Sequence, residues 1–85
     1  MTQPDRIPCV VPFCNRTRKP WPVCEWICGN HWRLISSTSK RVLFRLHRRM
    51  RKAGTVQELV CLRKREGRIW NTIKKQAIEA AAGIA

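Results

Sequence analysis

Two stretches of the chain space their apolar residues helically, and the stretch before them does not. From about Thr38 to Ala53, at about 100° per residue, Arg45, Arg48 and Lys52 fall within about 40° of Arg41. Val42, Leu43, Leu46, Met50 and Ala53 fall on the opposite side. The pattern predicts a helix with one packing face and one almost purely cationic face. Phe44 lies toward the basic side, suited either to stacking on a base or to capping the edge of the core. Ser36-Ser37-Thr38-Ser39 supplies N-cap hydroxyls, and Gly54 is placed to close the helix at C′.

Thr55-Val56-Gln57-Glu58 then spells a capping box, with Thr55 as N-cap and Glu58 reaching back to the Thr55 amide. Beyond it, Leu59, Leu62, Ile69, Trp70, Ile73, Ala77, Ala80 and Ala81 share one face of a second helix, which should pack back on the first. Lys64, Arg65, Arg68 and Lys75 occupy its other surface. Glu66 falls within the apolar face and Gly67 follows it. A continuous helix is still expected, because one glycine costs only about 1 kcal/mol. Cys61, alone on a helix, reads as a small packing residue.

Residues 1–35 lack such a period and hold all five Pro, three of the four Trp and four of the five Cys. Here Lys19-Pro20-Trp21-Pro22 reads as a turn and Val23-Cys24-Glu25-Trp26-Ile27 as a short strand. The chain therefore divides into an N-terminal module, residues 1–35, and a pair of helices, residues 36–85, packed with it as one domain. The expected class is small and α-rich (α+β). A knuckle and short β-hairpin precede the two helices.

Composition sharpens this picture. The 85 residues carry eighteen Lys and Arg against five Asp and Glu, a net charge of +13. Residues 36–55 hold seven of the cations (Lys40, Arg41, Arg45, Arg48, Arg49, Arg51, Lys52) and no acid, whereas the flanking segments are each only +3. Such a block repels itself unless a polyanion lies against it, so nucleic acid is the first partner to consider. A merely solubilising surface would intersperse acids among the bases. No run reaches the ~18 apolar residues of a membrane span, and Met1–Pro8 lacks the apolar core of a secretion signal. The expected setting is therefore intracellular and reducing, without a membrane.

The strongest chemical pattern is Cys9-Val-Val-Pro-Phe-Cys14 followed by Cys24-Glu-Trp-Ile-Cys28-Gly-Asn-His31. Five soft or borderline ligands fall within 23 residues. Zinc takes four such ligands in a tetrahedron, and ligands close in sequence must arrive in pairs from a tight turn or a first helical turn. Cys9 and Cys14 bracket a Pro-containing loop suited to a knuckle, and Cys28 and His31 can share one face of a starting helix. The first ligand set is thus Cys9, Cys14, Cys28 and His31. A competing set replaces His31 with Cys24. Two disulfides, such as Cys9–Cys14 and Cys24–Cys28, would need an oxidising compartment. Four protein ligands fill a tetrahedron, so a single Zn2+ would be structural. It would staple a module too small to fold unaided. Trp26 and Trp32 are placed to shield it, and Trp21 to cover the hairpin.

Residues 9–35, about a third of the chain, resemble the treble-clef zinc fingers through this knuckle and the Cys28/His31 pair. The knuckle departs from the family's usual C-x-x-C by its longer loop. The stretch Cys28 to Trp32, followed by a basic helix, also looks like small uncharacterised zinc-finger proteins of phages and prophages. That likeness implies no activity. Some treble clefs are metal-dependent nucleases, but beyond the four ligands only His47 is left over, with no acid near it in sequence. No Ser/His/Asp or phosphate-loop pattern is present, and a non-catalytic protein is expected.

The leading expectation is a nucleic-acid-binding protein that aims its basic helix at phosphates. Lys40, Arg41, Arg45, Arg48, Arg49, Arg51 and Lys52 would make the contacts, and Arg16, Arg18, Lys19 and Arg33 would extend the track around the finger. A single rigid basic helix suits the DNA major groove, with RNA as the other polyanion. The alternative is a protein-interaction module, a phage-encoded regulator, inhibitor or assembly component that docks on an acidic partner surface. The Ala-rich end, Ala77 to Ala85, suits close helix packing in a homodimer.

Overall fold

The computed structural model describes residues 6–19 and 25–83. Its elements run in the order β1 (Ile7–Pro8), β2 (Thr17–Arg18), α1 (Gly29–Trp32), α2 (Ser37–Arg51) and α3 (Val56–Ala81). β1 and β2 pair antiparallel, Ile7 opposite Arg18 and Pro8 opposite Thr17. The Cys9 N–H donating to the Arg16 carbonyl (3.0 Å) extends the ladder into the loop. The chain is thus helix-rich, with a two-stranded hairpin, two packed helices and a Cys/His cluster.

The hairpin is not where the sequence placed it. Glu25, Trp26 and Ile27 belong to no strand. Val23, Cys24, Trp21 and the 20–22 part of the expected turn lie outside the described residues. The strands form instead at the base of the Cys9–Cys14 loop, where the chain reverses on itself. Trp26 then latches onto the hairpin twice. Its carbonyl accepts from Val10 N–H (3.0 Å), and its indole Nε1 donates to the Ile7 carbonyl (3.0 Å).

α2 starts where its hydroxyl cluster predicts. Ser36 is the N-cap, accepting from the Ser39 amide and donating to the Ser39 hydroxyl (2.9 Å). Its end differs from expectation. The Lys52 and Ala53 amides close the last turn onto Arg49 and Met50, one residue tighter than the helix ladder. Gly54 therefore takes no left-handed conformation there. The Thr55 hydroxyl caps α3 by accepting from Glu58 N–H (3.1 Å). The Glu58 carboxylate reaches the Gly54 amide (3.2 Å) rather than that of Thr55, because the tightened end of α2 leaves that donor without a helical acceptor. α3 runs unbroken through Gly67 and closes at Gly83, whose φ of 76° is the left-handed cap conformation.

The buried core draws on both halves of the chain. Cys9, Val11, Cys28 and Ile35 from the N-terminal module meet Leu43 of α2 and Ile73 and Ala77 of α3, with Trp26, Trp32 and Trp70 packed against them. Ile73 is completely buried. Val42, expected in the packing face, is instead 36% exposed. Ala81 is likewise exposed, being in the last turn of α3. Ala77 is consumed by this internal core, which removes it from any surface offered to a second copy. Glu66 is half-buried as its place in the apolar face requires, and His47 Nε2 answers it from α2 at 2.6 Å. His47 thus has an acidic partner that its sequence neighbourhood does not show.

Candidate metal centre and basic surface

The Cys9–Cys14 loop is a knuckle built on a tight turn. The Cys14 amide donates to the Val11 carbonyl (3.2 Å), with Pro12 and Phe13 at the corner. Proline presets the first corner position, and a positive φ is needed at the second, where Phe13 takes 67°. Val11 turns into the core while Phe13 stands fully exposed. This arrangement lets a loop longer than C-x-x-C still present both sulfurs to one side.

The second ligand pair comes from the start of α1. Cys28 is its N-cap, and its carbonyl accepts from the His31 and Trp32 amides (3.1 and 2.8 Å), a turn that puts both side chains on one face. The Cys28 amide donates to Cys9 Sγ (3.4 Å) and so ties the two pairs together.

The ligand atoms of Cys9, Cys14, Cys28 and His31 all lie within 4.8 Å of one another. Cys14 and Cys28 sulfurs are 3.8 Å apart, Cys9 Sγ is 3.7 Å from His31 Nδ1, and Cys28 Sγ is 3.1 Å from the same nitrogen. A tetrahedral ion with metal–sulfur bonds of about 2.3 Å and a metal–nitrogen bond of about 2.0–2.1 Å requires edges of about 3.8 Å and about 3.6 Å. The first two separations match those edges. The third is shorter, as for an imidazole hydrogen-bonded to a thiol. The residues fit a single metal site, with His31 presenting Nδ1. Cys9, Cys14 and Cys28 are free thiols, so Cys9 and Cys14 are not bridged. Cys24, the competing ligand, lies outside the described residues.

Two of the thiols shift in opposite directions. Burial pushes the Cys28 thiol up, but hydrogen bonds from the His31 backbone and from the Cys14, His31 and Cys9 side chains outweigh it and bring it down to about 7. At Cys14 a hydrogen bond with the Arg16 backbone pulls down, while desolvation and the neighbouring Cys28 and Cys9 raise the thiol above its ordinary value. Several thiols facing one point cannot all ionise cheaply without a cation among them. The centre is wedged into the core through Cys9 and Cys28, and Trp26 and Trp32 pack beside it.

The cations form a separate surface. Arg41, Arg45, Arg48, Arg49, Arg51 and Lys52 are exposed along α2 and its end. The ion pairs found among the described residues are His47–Glu66, Lys74–Glu25 and Lys75–Glu79, none of which uses an α2 arginine or lysine. Lys40 sits over the Trp32 ring (5.5 Å) and Arg18 over Trp26 (5.9 Å). Arg33 donates to Asn30 Oδ1 (3.3 Å), while Arg16 and Lys19 are exposed. Phe44 meets the core edge while half of it stays exposed. It lies among Arg41, Arg45, Arg48 and Arg51, and its ring meets Trp32 at 6.2 Å.

On α3, Arg65 and Arg68 face Arg45 and Arg49 across the gap between the helices. Sequence periodicity placed them on the outer surface of α3 but could not show which α2 residues they meet, since that depends on how the two helices register. No described helix is long and apolar enough to cross a membrane. Comparisons with protein-family models, curated proteins and solved structures gave no match.

Proposed function

We propose that the chain is a non-catalytic, zinc-stapled nucleic-acid-binding protein that sets a basic helix against phosphates, with duplex DNA its preferred partner. The observation that carries the reading is the exposed α2 surface, whose arginines find no acid among the described residues. Gathering like charges on one face costs energy that a polyanion recovers. Zinc is the ion that three thiolates and one imidazole favour, and four protein ligands make it structural. Bound there, it would supply only rigidity, fixing the knuckle to α1 and thereby the angle at which α2 is presented. A knuckle-bearing hairpin followed by a short helix with the second ligand pair supports the treble-clef resemblance. The likeness to phage zinc-finger proteins adds no activity to it.

α2 spans about 22 Å, a length that the major groove accommodates. Titrating duplex DNA at several salt concentrations tests the reading. Binding through about five or six phosphates gives a log–log slope of about −4 to −6, and Arg45→Glu with Arg48→Glu flattens it. Weak, salt-insensitive retention, with tight binding to an acidic protein surface instead, contradicts it.

A further inference from the structure

Between α2 and α3 lies an open groove of ≈ 440 Å³ into which Arg45 and Arg49 project from one helix and Arg65 and Arg68 from the other. The rest of its lining is Val42, Leu46 and Ile69, with one hydroxyl, Thr72, that donates to the Arg68 carbonyl (3.2 Å). No carboxylate lines it. Glu66, the acid nearest in sequence, is taken by His47 at 2.6 Å. Four guanidinium groups are thus gathered from two helices around an apolar strip with no counter-charge, an arrangement that repels itself until an anion enters.

The shape of the missing partner follows from this lining. Guanidinium forks match phosphate oxygens in paired hydrogen bonds, which a lysine ammonium cannot do. An apolar strip between them suits a group that is not itself charged. A sugar–phosphate strand has that alternation, with charged phosphates joined by weakly polar sugars. A free inorganic anion would leave the strip uncovered, and a polyglutamate segment offers single carboxylates on flexible stems.

We infer that this groove seats one sugar–phosphate strand of the bound nucleic acid, with Arg65 and Arg68 completing a phosphate clamp that α2 alone cannot form. The inference rests on the nucleic-acid reading and extends its contact surface onto α3. The nucleic acid is gripped across two helices, so their relative register sets where the strand runs. Arg45 and Arg49 serve both the α2 track and the clamp, whereas Arg65 and Arg68 belong to the clamp alone.

The test compares two charge-matched double variants of the full chain, Arg65→Gln/Arg68→Gln in the groove and Arg63→Gln/Lys64→Gln on α3 outside it. Each is titrated with duplex DNA across salt, after circular dichroism shows unchanged helix content. The groove pair should weaken binding at least tenfold at fixed salt and reduce the log–log slope by about 1 to 2, at about 0.9 per phosphate lost. The outer pair should cost less than threefold and leave the slope unchanged. Arg65→Lys/Arg68→Lys, which keeps charge but loses the forks, should restore the slope and only part of the affinity. Equal effects of the two glutamine pairs, with the wild type binding steeply, overturn the clamp and leave the nucleic-acid reading standing. A wild type that binds no duplex overturns both. Competition by polyglutamate as effective as by unlabelled duplex assigns the groove to an acidic protein and overturns the clamp.

Discussion

Phe13 stands fully exposed with a φ of 67°, a conformation that costs a side-chain-bearing residue about 1–2 kcal/mol. The knuckle tolerates this because the turn from Val11 to Cys14 must put two sulfurs on one side. Phe13→Gly should raise the stability of the metal-loaded protein by up to about 1 kcal/mol, after allowing for the extra freedom glycine gives the unfolded chain. Thermal melts of the two proteins check it, and a lower midpoint for the variant contradicts it. Glu25 ties the N-terminal module to α3 through Lys74 (2.9 Å) and Trp70 Nε1 (3.2 Å). The hydrogen-bonded Lys74 ammonium holds its carboxyl below the usual carboxylate range against desolvation. A carboxyl depressed in the folded state contributes stability that is present above its unfolded pKa and lost as pH falls through the folded one. The difference in melting midpoint between wild type and Glu25→Gln should therefore be full near pH 6 and shrink toward about pH 3. A constant difference contradicts the pairing. The Cys/His cluster was legible in the sequence because Cys9/Cys14 and Cys28/His31 are close pairs that a turn and a helix start bring together locally. The Glu25 tie was not, since its partners lie 45 and 49 residues away.

At the scale of elements, the two long helices follow from periodicity and capping, and the hairpin does not. α2 and α3 carry long repeating patterns with hydroxyl caps at Ser36 and Thr55, whereas β1 and β2 are two residues each, too short for alternation to register. Val23–Ile27 looked more strand-like because it is apolar, but that character serves the packing of Trp26 and Ile27 onto the core. The end of α2 was missed for a related reason. Gly54 has the right residue type for a left-handed cap, yet the chain closes by tightening at Lys52 and Ala53 before reaching it. Gly67 is an unforced weak point in α3, for a Cβ there meets nothing within 4 Å. Gly67→Ala should stabilise the protein by about 1 kcal/mol. That corresponds to a rise in midpoint of about 4–8 °C for a domain of this size. A fall would mean that α3 needs a bend at this point.

The described residues form a flat body, 40 × 38 × 16 Å. Nine apolar side chains are buried among the described residues, and two of them are the Cys9 and Cys28 thiols. So thin a core supplies little free energy by itself, and a +13 charge works against compaction. Length and cysteine spacing already pointed to a staple. The four-arginine groove was not, because it arises only when two helices dock in one register. On the proposed reading, a single zinc ion holds the N-terminal module together and through it sets the basic surface. Native mass spectrometry of the untagged protein, beside the Cys28→Ser variant, tests it directly. One zinc per chain, lost in the variant together with the folded structure of the module, is the predicted result. A metal-free wild type with the same circular dichroism and melting midpoint before and after chelation would contradict it.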